Sequence, residues 1–191
     1  AVQRELSFFL LMTTFISIPV SVGLFLWSDP VIRFIFEGGS FDSRATAQVS
    51  RVMRYSIVQL PFFACITVLL KFATAARRVM VISVATFIGL LVNIGAGYLL
   101  MEYMGVGGIA LGASLSVIVS SVLLLLFHAR NGYIGGLDTV IMLMSWLLFM
   151  TLLICIHFHS VPSIYATMSA CAVLVGGYAM SLRSDKVEMS S

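Results

Sequence analysis

Charge is what this sequence has least of. Of 191 residues, 11 are Lys or Arg and 8 are Asp or Glu, 10% together, against about 25% in an ordinary soluble domain. Hydrophobic residues make up 60% and the mean hydropathy is +1.08. One buried core does not need that much apolar material, so lipid rather than water is the expected main solvent. The net charge of +3 forms no basic stripe interleaved with exposed aromatics, which excludes nucleic acid as a partner. Cysteine is scarce too. Cys65, Cys155 and Cys171 each lie inside an apolar run, where a thiol behaves as a small buried hydrophobe and gives no disulfide framework or metal spacing. An initiator methionine is missing. The first apolar run is too long, and too poorly flanked by basic residues, for a cleaved signal peptide, so the sequence is expected to begin inside a longer protein.

A catalytic constellation is also lacking. His157 and His159 stand two apart, on nearly opposite faces of a helix, and cannot chelate a metal without other ligands. Asp29, Glu37, Asp42, Glu102, Asp138, Asp185 and Glu188 fall in loops, at helix ends or in the tail, and no two form an acid/base pair. The expectation is a protein that is not an enzyme and uses no cofactor.

What the sequence has instead is length without charge. A bilayer core of about 30 Å needs about 20 helical residues. Residues 6–27 give 22, 79–101 give 23, 103–127 give 25 and 161–182 give 22, all without Asp, Glu, Lys or Arg. Residues 139–158 give 20, and residues 52–70 give 19 with Arg54 in the first turn, placed to snorkel. Continuous apolar runs lack the alternation of barrel strands, so the fold class is all-α, a polytopic membrane bundle of about six transmembrane helices. Residues 1–130 are read as a four-helix unit and residues 131–191 as two further spans with a short tail. Pro19, Gly23 and Pro61 lie within spans and either kink them or simply reflect membrane-helix composition.

Connections alternate between two sides. One side receives Arg4, Lys71, Arg77, Arg78, Arg130, Arg183 and Lys186; the other receives Arg33, Arg44, Arg51 and Arg54. Seven against four places the first side, and both ends of the chain, in the cytoplasm. In the outward segment, Ser28-Asp29-Pro30 reads as a helix start, Gly38-Gly39 as its end, and Asp42 as the cap of a helix running through Arg51 and Arg54 into the second span. This segment is either an interfacial gate element or a plain helix-turn-helix at the membrane surface.

Polar residues inside spans are costly in hydrocarbon and are the candidate substrate-binding positions. They are Gln59, Lys71 and Asn93, joined by Arg51 and Arg54, which with Tyr55 share a helical face suited to phosphate or an anionic headgroup. The competing readings are snorkelling for Lys71, interhelical hydrogen bonding for Gln59 and Asn93, and a solvated collar for the arginines. The fourth span is rich in small residues, with Gly108 and Gly112 spaced as GxxxG for close helix contact.

The order of features resembles a known family: an apolar helix with Pro19 and Gly23, then Asp29-Pro30-Val31-Ile32, Phe36-Glu37-Gly38-Gly39-Ser40-Phe41, a long helix with Tyr55 and Pro61, Asn93, and the small-residue segment from Gly105 to Leu115. Together they are similar to the MviN/MurJ family of lipid II flippases, within the multidrug/oligosaccharidyl-lipid/polysaccharide exporter superfamily. The chain departs from the family pattern at residues 72–79, Phe-Ala-Thr-Ala-Ala-Arg-Arg-Val, which keep a Phe and basic residues but lack its Asp and Pro. The resemblance implies the C-terminal six of fourteen helices in a bacterial inner-membrane transporter for peptidoglycan biosynthesis. Its partners would be a polyprenyl-linked lipid substrate, membrane lipids and the N-terminal lobe of the same longer chain. It implies alternating access between two lobes, with the last two spans forming a groove for the isoprenoid tail. A related polysaccharide exporter, a drug exporter, a non-transporting scaffold and a truncated remnant are the alternatives; the drug exporter is disfavoured because no span holds a carboxylate.

Overall fold

A computed structural model describes residues 2–36 and 43–159. Those residues form seven helices: α1 Val2–Leu26, α2 Ser28–Phe36, α3 Ser43–Ile57, α4 Leu60–Ala75, α5 Val79–Met104, α6 Val106–Arg130 and α7 Gly136–His159. Four are long and apolar enough to cross a membrane, and α3 with α4 makes a fifth span bent by 45°. The expected span at residues 161–182, the Gly38-Gly39 stop, the Asp42 cap and most of the segment 36–41 lie outside the described residues.

The bend corrects one expectation. The sequence predicts one helix running through Arg51 and Arg54 into the second span, and the helix instead breaks after Ile57. Pro61 has no N–H to give the Ile57 carbonyl, and its ring crowds that carbonyl. The Gln59 amide turns to Ser56 O at 3.4 Å, and the chain re-enters the helix at Leu60 with proline in its first turn. A smaller correction falls between the third and fourth spans. Tyr103 belongs to the end of α5, because the chain turns at Gly105, whose φ of +60° suits a residue without Cβ.

α6 organises the bundle through two stripes of small residues. Gly108, Gly112, Ser116 and Ser120, four apart, face α5: a Cβ on Gly112 would lie 2.6 Å from Gly97 N, and a Cβ on Gly89 would lie 2.2 Å from the Ser120 hydroxyl. Gly107, Ser114, Ser121 and His128, seven apart and buried, face α3 and α4. Lipid gives apolar side chains no reason to leave it, so helix association relies on close backbone approach and interhelical hydrogen bonds, and small residues permit both. The Ser120 hydroxyl donates to Ala85 O of α5 at 3.2 Å, and Ser121 donates to Phe62 O of α4 at 3.0 Å.

Around this centre α1 packs on α4, with Thr14 Oγ1 3.1 Å from Cys65 Sγ, and buries Leu10, Thr14, Ile18, Val22 and Phe25 along one face. α7 presents Thr139, Met142, Trp146, Phe149 and Leu153, a buried stripe at alternating spacings of three and four. Trp146 lies with its ring centroid 4.8 Å from that of Phe62. Two helix ends close with the same hydrogen-bond pattern, in which the N–H of the second residue past the cap reaches back five positions. Tyr133 N donates to His128 O at 2.9 Å after α6, and Arg78 N donates to Ala73 O at 2.9 Å after α4. The left-handed residue is Gly132 in the first case and Arg77, φ +55°, in the second.

Candidate functional site

The break between α3 and α4 releases backbone polar groups inside the bundle, and in a membrane these must find partners. With the Gln59 amide turned to Ser56, Tyr55 O takes its hydrogen bond from the Ser114 hydroxyl of α6 at 2.8 Å. Ser121 of α6 also donates to Phe62 O, the residue after Pro61 in the first turn of α4. The bent span is thus held to α6 by a hydroxyl on either side of its break.

At the end of the bundle where α1 gives way to α2, polar side chains converge. The Arg54 guanidinium pairs with the Asp29 carboxylate, and Arg54 Nε donates to Ser28 Oγ at 2.8 Å. Ser50 Oγ donates to the other oxygen of Asp29. Ser28 is buried, and its own hydroxyl donates a hydrogen bond to Phe25 O at 2.9 Å. These contacts clamp α2 onto α3. The Arg54 and Asp29 side chains keep 35% and 49% of their exposure, so water screens the pair and its contribution to stability is at most about 1 kcal/mol. Its main consequence is geometric: Arg54 is committed to α2.

Arg51 is not. It is exposed and has no ion pair among the described residues, and its Cδ lies beside Gly107 at the start of α6, where the Tyr55 ring also packs. A Cβ on Gly107 would come within 2.8 Å of that ring. The three residues expected to share one face therefore divide: Arg54 turns to α2, while Arg51 and Tyr55, four apart, turn to α6.

The other candidates lie apart from this cluster. Gln59 is half-buried at the break and caps α4 without a side-chain hydrogen bond. Asn93 is half-buried on α5 and Lys71 is exposed near the end of α4. Ser28, Asp29 and Ser50, which hold Arg54, and Ser114 and Ser121, which tie α3 and α4 to α6 on either side of the break, are not among the site residues that the sequence points to. The seven-residue spacing of Gly107, Ser114, Ser121 and His128 is the signal that marks the α6 face involved.

The model of the family described as lipid II flippase MurJ matches residues 1–177. The chain belongs to this family. Among curated MurJ proteins, the lipid II flippase of Thermosipho africanus is 32% identical over 119 residues, 62% of this chain and 25% of that protein. Probable lipid II flippases of Thermotoga maritima and Bdellovibrio bacteriovorus are 29% and 24% identical, over 65% and 60% of this chain and 26% and 22% of theirs. The chain therefore spans about a quarter of the length of these MurJ relatives. A solved structure of MurJ in an inward closed conformation superposes with a TM-score of 0.69 at 23% identity, covering 96% of this chain and 40% of that one. That likeness fixes the fold as a MurJ-type membrane helix bundle.

Proposed function

We propose that the intact protein carrying this chain translocates lipid II, and that the chain is the C-terminal portion of its helix bundle. The observation that carries this reading is the MurJ family match running through residues 1–177. Transport of this kind changes no covalent bond, so the protein is read as a non-enzyme of the bacterial inner membrane. The count of basic residues orients it with both chain ends cytoplasmic.

In this reading residues 1–130 contribute four spans to a transporter lobe, and residues 131–191 add a further pair that accommodates the isoprenoid tail. The break after Ile57 gives the second span a place to bend during alternating access, because Tyr55 O there is already satisfied by Ser114 of α6 rather than by the helix ladder. Arg51 is the cation best placed to meet a diphosphate, since Arg54 is held by Asp29. Gln59, Lys71 and Asn93 are secondary candidates along the path.

Residues 72–79, with no Asp or Pro, favour one second reading, an exporter of a polyprenyl diphosphate carrying a different sugar. Photocrosslinking separates the two. The intact protein in native membranes is expected to capture a photoreactive lipid II analogue in competition with unlabelled lipid II. Capture only of analogues bearing other sugars selects the second reading, and capture of neither overturns both.

A further inference from the structure

The end of the bundle bearing α2 carries an apolar surface that no helix among the described residues covers. Trp27, Val31, Phe34 and Ile35 stand at i, i+4, i+7 and i+8, one arc of α2 and the turn before it. Helical hydrogen bonding runs through that turn, Trp27 N to Gly23 O and Val31 N to Trp27 O, each at 3.0 Å. The opposite arc is accounted for: Ser28 and Ile32 are buried, and Asp29 is held by Arg54 and Ser50. On the apolar arc, Phe34 is 91% exposed, Trp27 67% and Ile35 60%.

Two observations say what covers this arc. First, it continues the exposed apolar stripe of α1, where Phe9, Ile16 and Val20 face outward; α1 is long and apolar enough to cross a membrane, where such a stripe meets acyl chains. Trp27, seven residues beyond Val20, falls where that span ends, the level at which tryptophan is favoured. Secondly, Arg33 is exposed and lies four residues from Asp29 on the polar side, in reach of lipid phosphates when the apolar arc faces acyl chains. We infer that α2 is an interfacial helix, laid in the phospholipid headgroup layer on the arc Trp27, Val31, Phe34 and Ile35, with the Asp29–Arg54 clamp fixing its rotation. Through that clamp the membrane surface sets the position of α3, and thereby of Arg51.

Site-directed spin labelling tests this in the intact protein, on a cysteine-free background reconstituted into phosphatidylethanolamine/phosphatidylglycerol vesicles. Labels at Phe34→Cys, Ile35→Cys and Arg33→Cys are read by power saturation with oxygen, which partitions into lipid, and with a water-soluble nickel chelate. Phe34 and Ile35 are exposed, so their replacement removes little packing. The expected result is a several-fold higher ratio of oxygen to nickel collision at 34 and 35 than at 33. High nickel collision at all three sites, meaning an arc in water, overturns the inference. Low collision with both relaxants at 34 and 35, meaning an arc covered by protein, overturns it as well.

Discussion

Replacing Gly108 and Gly95 by alanine adds the same methyl group to two glycines of the α5–α6 pair, and the structure assigns the changes opposite signs. A Cβ at Gly108 would stand 2.2 Å from Leu100 O, 2.3 Å from Leu100 C and 2.6 Å from Met101 N. Unstrained carbon–oxygen contacts begin near about 3.3 Å, so the start of α6 must move away from the end of α5 by about 1 Å. The atoms struck are backbone, which has no rotamer to change. Overpacking costs about 1–3 kcal/mol, and Gly108→Ala belongs at the upper end. Around Gly95 nothing lies within 4 Å of the new methyl, and alanine is favoured over glycine inside a helix by about 0.8–1 kcal/mol. The two variants should differ by about 2–4 kcal/mol. Titration with denaturing detergent in mixed micelles, followed by maleimide access to the buried Cys65 thiol, measures the difference. Equal unfolding midpoints for the two variants would refute the close-approach argument.

Three further outcomes follow from the geometry. Ser114→Ala leaves Tyr55 O unpaired and should cost about 1–3 kcal/mol; adding Pro61→Ala restores an amide at the break, so a double-mutant cycle should show the two sites coupled. Arg77→Gly removes a left-handed arginine and should stabilise by about 0.5–1 kcal/mol, measured by the same titration. Arg51→Gln should reduce transport by the intact protein while leaving its stability within about 0.5 kcal/mol; unchanged transport removes Arg51 from the substrate path.

The positions of the spans were legible because charged residues fall between apolar runs, and a lipid environment enforces that punctuation. Five expected spans correspond to α1, the α3–α4 pair, α5, α6 and α7. Ser28-Asp29-Pro30 announced α2 correctly. The exact break in the second span was not legible, although Pro61 hinted at it, because how far a helix yields at proline depends on whether a neighbour can satisfy the freed carbonyls. That neighbour is Ser114, 59 residues away. Arg54 illustrates the same limit. Its helical spacing suggested a face shared with Arg51, but its partner Asp29 sits 25 residues earlier, and only the packing of α2 on α3 reveals that the arginine is already engaged.

Transport itself can be observed directly. The intact protein, reconstituted into vesicles loaded with fluorescent lipid II in both leaflets, should move the inner-leaflet pool to the outside, where a membrane-impermeant quencher reaches it. Quenching should rise from the outer-leaflet fraction toward completion, and Arg51→Gln should slow that rise. A plateau at the outer-leaflet fraction, equal to that of protein-free vesicles, would contradict the assignment of this bundle to a lipid II flippase.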